Sequence, residues 1–343
     1  MVFAENLSRR AVVACAVAGF ACLLAPAAAS ADDLVIYHAV DFAATVVKAF
    51  TAKTGIPVKL VEPGGTGELL GKIAAEGDNP QFDLVWVDGS AVMERMLNDK
   101  ILQPIPNAII ASADYNEVGK KLVPASHSFL PTSVSTTSIT VNTKKVPADK
   151  MPKSFADLAN PAFVGFVGSK DPNLSGPSFQ FVAGIFQVMG EEKGKAYLQS
   201  VLTNKKISGF ASGGGLNKSI LTGDAKVSFA QDSSTYAKIA NGEPLAIVYP
   251  AEGVVALPSG IGLSAKTKNA DLAAKFMAFV LSKDGLAAMQ DGDDTDYFLA
   301  PVIKGIEAKK GRATDINYIF LDPAAAAAKE ADWKKWYRDN FVP

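Results

Sequence analysis

The pattern that most limits what this chain can fold into is a repeated order of strand, tight turn and helix across residues 34–97. Leu34-Val35-Ile36-Tyr37 is a short apolar run, after which Phe42, Val46, Val47 and Phe50 recur at helical spacing up to Gly55, with Asp41 placed to cap that helix. Residues 58–61 read as a second strand, and Gly64-Gly65-Thr66-Gly67 as a turn into a helix carrying Leu69, Leu70 and Ile73. A third strand over 82–87 closes at Asp88-Gly89-Ser90 before a helix through Leu97. Strands alternating with helices through short glycine-containing turns make βαβ units, because only a crossover helix returns the chain to a parallel neighbour. The fold class is α/β.

Further along, Ser and Thr alternate with Val134, Ile139 and Val141 over 133–142, the signature of a half-buried strand. Strands are also expected at 163–167, 207–210, 226–230, 245–249 and 261–264, and helices at 176–189, 193–202, 213–222, from Asp232, and 270–281. The alanines from Ala324 to Ala328 belong to a C-terminal helix running through Trp333 and Trp336, aromatics expected to dock the tail.

Two arginines, a small and apolar run from Ala11 to Ala29, and Ala29-Ser30-Ala31 before Asp32-Asp33 form the three regions of a cleavable export signal over residues 1–31. Both cysteines, Cys15 and Cys22, lie within it, so the processed chain has no thiol for a disulfide, a nucleophile or a metal. Losing Glu5, Arg9 and Arg10 from 34 basic and 35 acidic residues leaves a net charge of −2. Interspersed signs near neutrality give no basic stripe for nucleic acid. The 312 residues that remain of 343 are enough for two domains.

Several turns share one design, a strand end followed by a helix that opens on a small or acidic residue. They are Asp41, Thr66-Gly67, Asp88-Gly89-Ser90, Asn173-Leu174-Ser175-Gly176, Ser212-Gly213-Gly214-Gly215 and Asp232-Ser233-Ser234. Such turns gather beyond the carboxyl ends of parallel strands, where helix N-termini offer free N–H groups to phosphate, phosphonate or carboxylate oxygens. The plainer reading is that each hydroxyl only caps its own helix. Asp41, Glu68, Asp88, Asp232 and Glu252 could face an ammonium group or a cation, and Tyr37, Trp86, Tyr236 and Tyr249 could wall a pocket or fill core.

Enzyme signatures are missing from the pattern. Gly67-Glu68-Leu69-Leu70-Gly71-Lys72 falls one residue short of a phosphate-binding P-loop and continues with Ile73 where a magnesium-binding hydroxyl belongs. There is no Gly-x-Ser-x-Gly elbow, and His38 and His127 stand in separate contexts. The expectation is a protein that is not an enzyme and needs no cofactor.

The order of parts resembles the periplasmic solute-binding proteins of the type 2 fold, in the branch holding ferric-ion-binding and 2-aminoethylphosphonate-binding components of ABC importers. The resemblance rests on Leu34-Val35-Ile36-Tyr37, on Thr66-Gly67-Glu68-Leu69-Leu70 leading to Asn79-Pro80-Gln81-Phe82-Asp83-Leu84-Val85-Trp86, on Asp171-Pro172 with Ser175-Gly176, and on Tyr249-Pro250-Ala251-Glu252-Gly253. It implies two α/β lobes joined by hinge strands near 135–142 and 257–264, with the first lobe at 32–137 plus 259–300, the second at 138–258, and a tail at 301–343 of unassigned lobe. It also implies a solute held between the lobes by closure, delivery to a membrane permease, a periplasmic location and a monomeric chain, or else a sensing partner of a chemoreceptor or kinase.

Ferric binders of this branch resemble one another in an adjacent tyrosine pair. Here Ser233-Ser234 stand in its place, with Tyr236 just beyond and Asp41 at the usual histidine, so that only Glu68 matches. Serines are poor ligands for iron, which turns the expectation toward an oxyanion. The expected ligand is a small anion or zwitterion, 2-aminoethylphosphonate or a related organophosphonate, with ferric ion as the alternative. Thr66, Gly67, Ser175, Gly176, Ser233 and Ser234 are expected to hold its head, and Asp41, Asp88 or Glu252 its amino end.

Overall fold

The computed structural model describes residues 33–291 and 297–343, so the expected export signal lies outside the described residues. From the start of the described chain, β1 (Leu34–His38) leads through α1 (Ala43–Thr54) to β2 (Val58–Val61), and α2 (Thr66–Glu76) leads to β3 (Leu84–Asp88). Both β2 and β3 pair with β1 in parallel, as the alternation predicts. Helix α1 starts one residue later than expected: Phe42 already has helical backbone angles and no side chain caps the helix, so Asp41 is not its cap.

The chain continues through α3 (Ser90–Asn98), β4 (Leu102–Gln103), α4 (Asn107–Ser112) and α5 (Glu117–Leu122) into a thirteen-residue strand, β5 (Leu130–Asn142). Then come β6 (Val167–Gly168), α6 (Gly176–Met189), α7 (Glu191–Val201), α8 (Gly213–Thr222), β7 (Val227–Gln231), α9 (Asp232–Ala240) and β8 (Leu245–Val248). The long β9 (Val254–Ser264) is followed by α10 (Ala270–Val280), α11 (Lys283–Gln290), β10 (Tyr318–Ile319) and α12 (Pro323–Phe341).

One sheet of order β2-β1-β3-β9-β5-β7-β6 runs through the described chain, with β4 and β10 added to β9 and β8 to β5. Its middle is antiparallel. Strand β9 pairs with β3 at one end, with β10 at the other, and with β5 along most of its length, while the far end of β5 pairs with β7 and β8. The two long strands therefore tie the β2-β1-β3 half to the β7-β6 half. Every residue of β5 is buried, not every second one, because it runs through the sheet interior with α5, α6 and α9 packed against it. The alternating Ser and Thr thus mark a strand enclosed on both faces.

The apolar core follows the same division. One large cluster holds Leu34, Phe42, Phe50, Trp86, Phe276 and Val302, and another holds Phe155, Phe181, Phe229, Trp333 and Tyr337. Trp86 is core: its ring meets that of Phe42 edge-on at 5.1 Å, and its indole N–H donates to Thr132 Oγ1. The tail helix α12 docks on the second cluster through Trp333, Tyr337 and Phe341. The chain between α11 and α12 begins in the first cluster at Leu299, Val302 and Ile303, and reaches the second at Leu321, so it joins the halves a third time.

Two expected strands shrink to remnants. At 163–167, Gly165 has φ 83° and the backbone closes turns from Phe163 N–H to Asn160 O and from Phe166 N–H to Phe163 O, leaving only Val167–Gly168 extended. At 207–210, pairing shrinks to a single bridge between Lys170 and Phe210. The end of α12 takes the free polar groups there, with Tyr337 Oη donating to Ser208 O and Ser208 Oγ to Phe341 O.

Candidate functional site

A cavity of about 700 Å³ opens where the two halves of the sheet face each other. Four helix N-termini reach it: α2 through Thr66, α6 through Ser175 and Gly176, α8 through Ser212 and Gly213, and α9 through Gln231 and Ser234. Unpaired N–H groups at the first turn of a helix carry partial positive charge, so convergence of four such ends favours an anion between them. Lys170 and Lys238 also line the cavity on the β7-β6 side. Opposite them, on the β2-β1-β3 side, stand the carboxylates of Asp41, Glu62, Glu68 and Asp88. The lining thus sets two lysines and Glu243 on one side against four carboxylates on the other.

Three hydroxyls at these turns have a local task as well. Ser175 Oγ accepts from Ser178 N–H, and Ser212 Oγ from Gly215 N–H, both as helix caps that leave the hydroxyl proton free to donate elsewhere. Ser234 Oγ donates to Gln231 O. Asp88 is a bridge between the halves: it accepts from Ser259 Oγ at 2.6 Å and from Gln231 Nε2 at 3.0 Å.

Glycine is required where the halves touch. A Cβ on Gly176 would stand 2.6 Å from Asp88 O and 3.0 Å from Thr66 Oγ1, and one on Gly67 would stand 2.9 Å from Asn173 O. Gly67 N–H donates to Leu174 O across the same seam. Both glycines allow backbone to approach backbone.

Of the residues singled out in the sequence, the structure brings Asp41, Thr66, Glu68, Asp88, Ser175, Gly176 and Ser234 to the cavity wall. Gly67, Ser233, Tyr236 and Glu252 are not in the lining. Ser233 is fully buried. Glu252 accepts from Phe155 N–H, and Tyr236 stacks on Phe298 with its hydroxyl 3.2 Å from that of Tyr249. Tyr37, Trp86 and Tyr249 do not line the cavity either. His38 is buried, its Nδ1 3.1 Å from Val40 O, and its pKa lies below the ordinary value because burial disfavours the charged ring.

Sequence reasoning missed the support beneath α9. Asp232 and Arg312 form an ion pair at 2.8 Å with both side chains fully buried. Asp232 also accepts from Thr136 N–H of β5 and from Tyr249 Oη, while Arg312 donates to Phe298 O. Burial and the neighbouring Asp232 hold the Tyr249 phenol up in its protonated, donating form. No spacing announces Arg312, which sits far along the chain beside Gly311 and Ala313. Lys170 carried a signal, since it directly precedes the Asp171-Pro172 pair.

The profile of the bacterial extracellular solute-binding protein family matches residues 45–318, and the chain belongs to that family. Its relatives include an Fe(3+)-binding periplasmic protein of Serratia marcescens, 25% identical over 311 residues that cover 84% of this chain and 88% of the relative. A Salmonella paratyphi A periplasmic protein provisionally assigned to 2-aminoethylphosphonate binding is 26% identical over 243 residues, covering 69% of this chain and 68% of that one. Among solved structures, the periplasmic binding protein AfuA of Actinobacillus pleuropneumoniae, determined with fructose-6-phosphate bound, superposes with a TM-score of 0.78 at 22% identity, covering 90% of this chain and 98% of that one. The fold is thus the two-lobed one of periplasmic binding proteins, with β5 and β9 as the strands between lobes.

Proposed function

We propose that this protein is the extracytoplasmic solute-binding component of an ABC importer, and that it captures a small organic solute with a phosphonate or phosphate head and a cationic amine. Four helix N-termini that meet two lysines across from a carboxylate wall carry this reading. The head would sit among Thr66, Ser175, Gly176 and Ser234, and the amine would face Asp41 or Glu68. A bare metal ion is a poorer occupant. Among the described residues the lining contains no tyrosine and no histidine, serine hydroxyls bind iron weakly, and about 700 Å³ lies within the range of roughly 300–1,000 Å³ that encloses an organic molecule.

In this reading the lobes are residues 32–137 with 259–300, and 138–258, with α12 riding on the second. The solute bridges both walls, so it favours the closed arrangement, and a permease reads that closed form. The chain binds, releases and does no covalent chemistry.

Titration calorimetry of refolded, ligand-stripped protein with 2-aminoethylphosphonate, inorganic phosphate, ethanolamine and ferric ion tests the proposal. The expected result is saturable binding of 2-aminoethylphosphonate, weakened in Ser234→Ala and Thr66→Val. Binding of ferric ion alone, with a visible charge-transfer band, would overturn it.

A further inference from the structure

The cavity is larger than a two-carbon aminophosphonate needs. Such a molecule displaces only a few waters at roughly 30 Å³ each, whereas the space measures about 700 Å³. The rest of it runs along the β7-β6 half, into a crevice between α8 and α9. Thr140, Ser228 and Thr235 line its inner end, the hydroxyls of Thr140 and Thr235 bonded to each other at 2.8 Å. Asn217, Asn241 and Glu243 line it nearer the surface, with Asn217 Nδ2 3.4 Å from Glu243 Oε2.

The chemistry of that crevice differs from the anion seat. Two amides and a carboxylate offer donors and acceptors side by side, which is what hydroxyl groups need, since each hydroxyl both gives and takes a hydrogen bond. Glu243 opposes a second phosphate. Leu216, Ile220 and Ala237 supply apolar surface between the polar groups, matching the C–H faces of a polyol or sugar ring.

We infer that the crevice between α8 and α9 is a second subsite of the same cavity and takes the hydroxylated body of the solute, so that the substrate class is an amino-polyol phosphate or phosphonate. This rests on the anion-binding reading above and extends it.

Calorimetry with glucosamine 6-phosphate and 2-aminoethylphosphonate tests it, because both carry an amine and a phosphorus oxyanion and they differ in the hydroxylated body. Two or more extra hydrogen bonds predict about tenfold tighter binding of glucosamine 6-phosphate. Asn217→Ala and Asn241→Ala should erase that advantage and leave 2-aminoethylphosphonate binding and the melting temperature unchanged. Equal affinity for the two probes, or variants that weaken both alike, would overturn the subsite while leaving the anion seat standing. If neither probe bound, the anion reading would fall and the subsite with it.

Discussion

Replacing Gly176 by alanine separates the closed arrangement from the rest of the fold. The added Cβ would lie 2.6 Å from Asp88 O, short of ordinary 3.4 Å contact by 0.8 Å, and 3.0 Å from Thr66 Oγ1. The first of these is backbone at the end of β3 and cannot swing aside, so the seam between the halves must open by a comparable distance. Overpacking of this kind costs about 1–3 kcal/mol, and because the clash exists only when the halves meet, it falls on closure and lowers solute affinity about 5- to 150-fold. Without solute the halves can part, and alanine in the first turn of α6 is a better helix residue than glycine by up to about 1 kcal/mol. The ligand-free melting temperature should therefore hold steady or rise while affinity drops. Calorimetry with the tightest-binding probe, paired with a thermal melt of the empty protein, reads both quantities. An affinity within about twofold of the parent, or a melting temperature that falls in step with affinity, would refute the reasoning.

Two further outcomes follow from buried polar groups. Arg312→Met strands the Asp232 carboxylate in the interior and should cost about 3–5 kcal/mol in urea denaturation, whereas Arg312→Met combined with Asp232→Asn should recover a large part of it; a single variant as stable as the parent would refute the role of the pair. The His38 ring, whose folded pKa lies below 6.5 chiefly through burial, contributes stability that is present above its unfolded value and lost as pH falls through the folded one. Urea midpoints between about pH 8 and pH 5 should thus fall less for His38→Gln than for the parent, and a His38 midpoint above 6.5 by NMR would contradict this.

The strand-turn-helix order from Leu34 to Leu97 was legible because each element there is local: apolar periodicity marks it and a glycine or a cap ends it. Helix α6 was readable to its ends for the same reason, with Ser175 as cap and Gly190 as stop. The expected strand at 207–210 failed because its partner groups are claimed by α12, more than a hundred residues away, and no local pattern encodes that competition. Reading 133–142 as half-buried failed in a similar way, since alternation reports one polar face but not that a helix covers it. At the site, the turns led to Thr66, Ser175 and Ser234 because helix starts announce themselves. Arg312 reaches its place beneath α9 only when distant segments meet.

The stretch from Leu299 to Leu321 makes three covalent routes between the halves instead of two, and its single buried arginine pins it beneath α9. It acts as a leash. A protease cut within 304–311 would leave the C-terminal fragment seated, since Trp333, Tyr337 and Phe341 anchor it. The nicked molecule would keep its shape and its cavity, since Tyr318 and Phe320 still pack on the first cluster while the tail helix holds the second, so the tether between the jaws is the short crossing at Phe320 and Leu321.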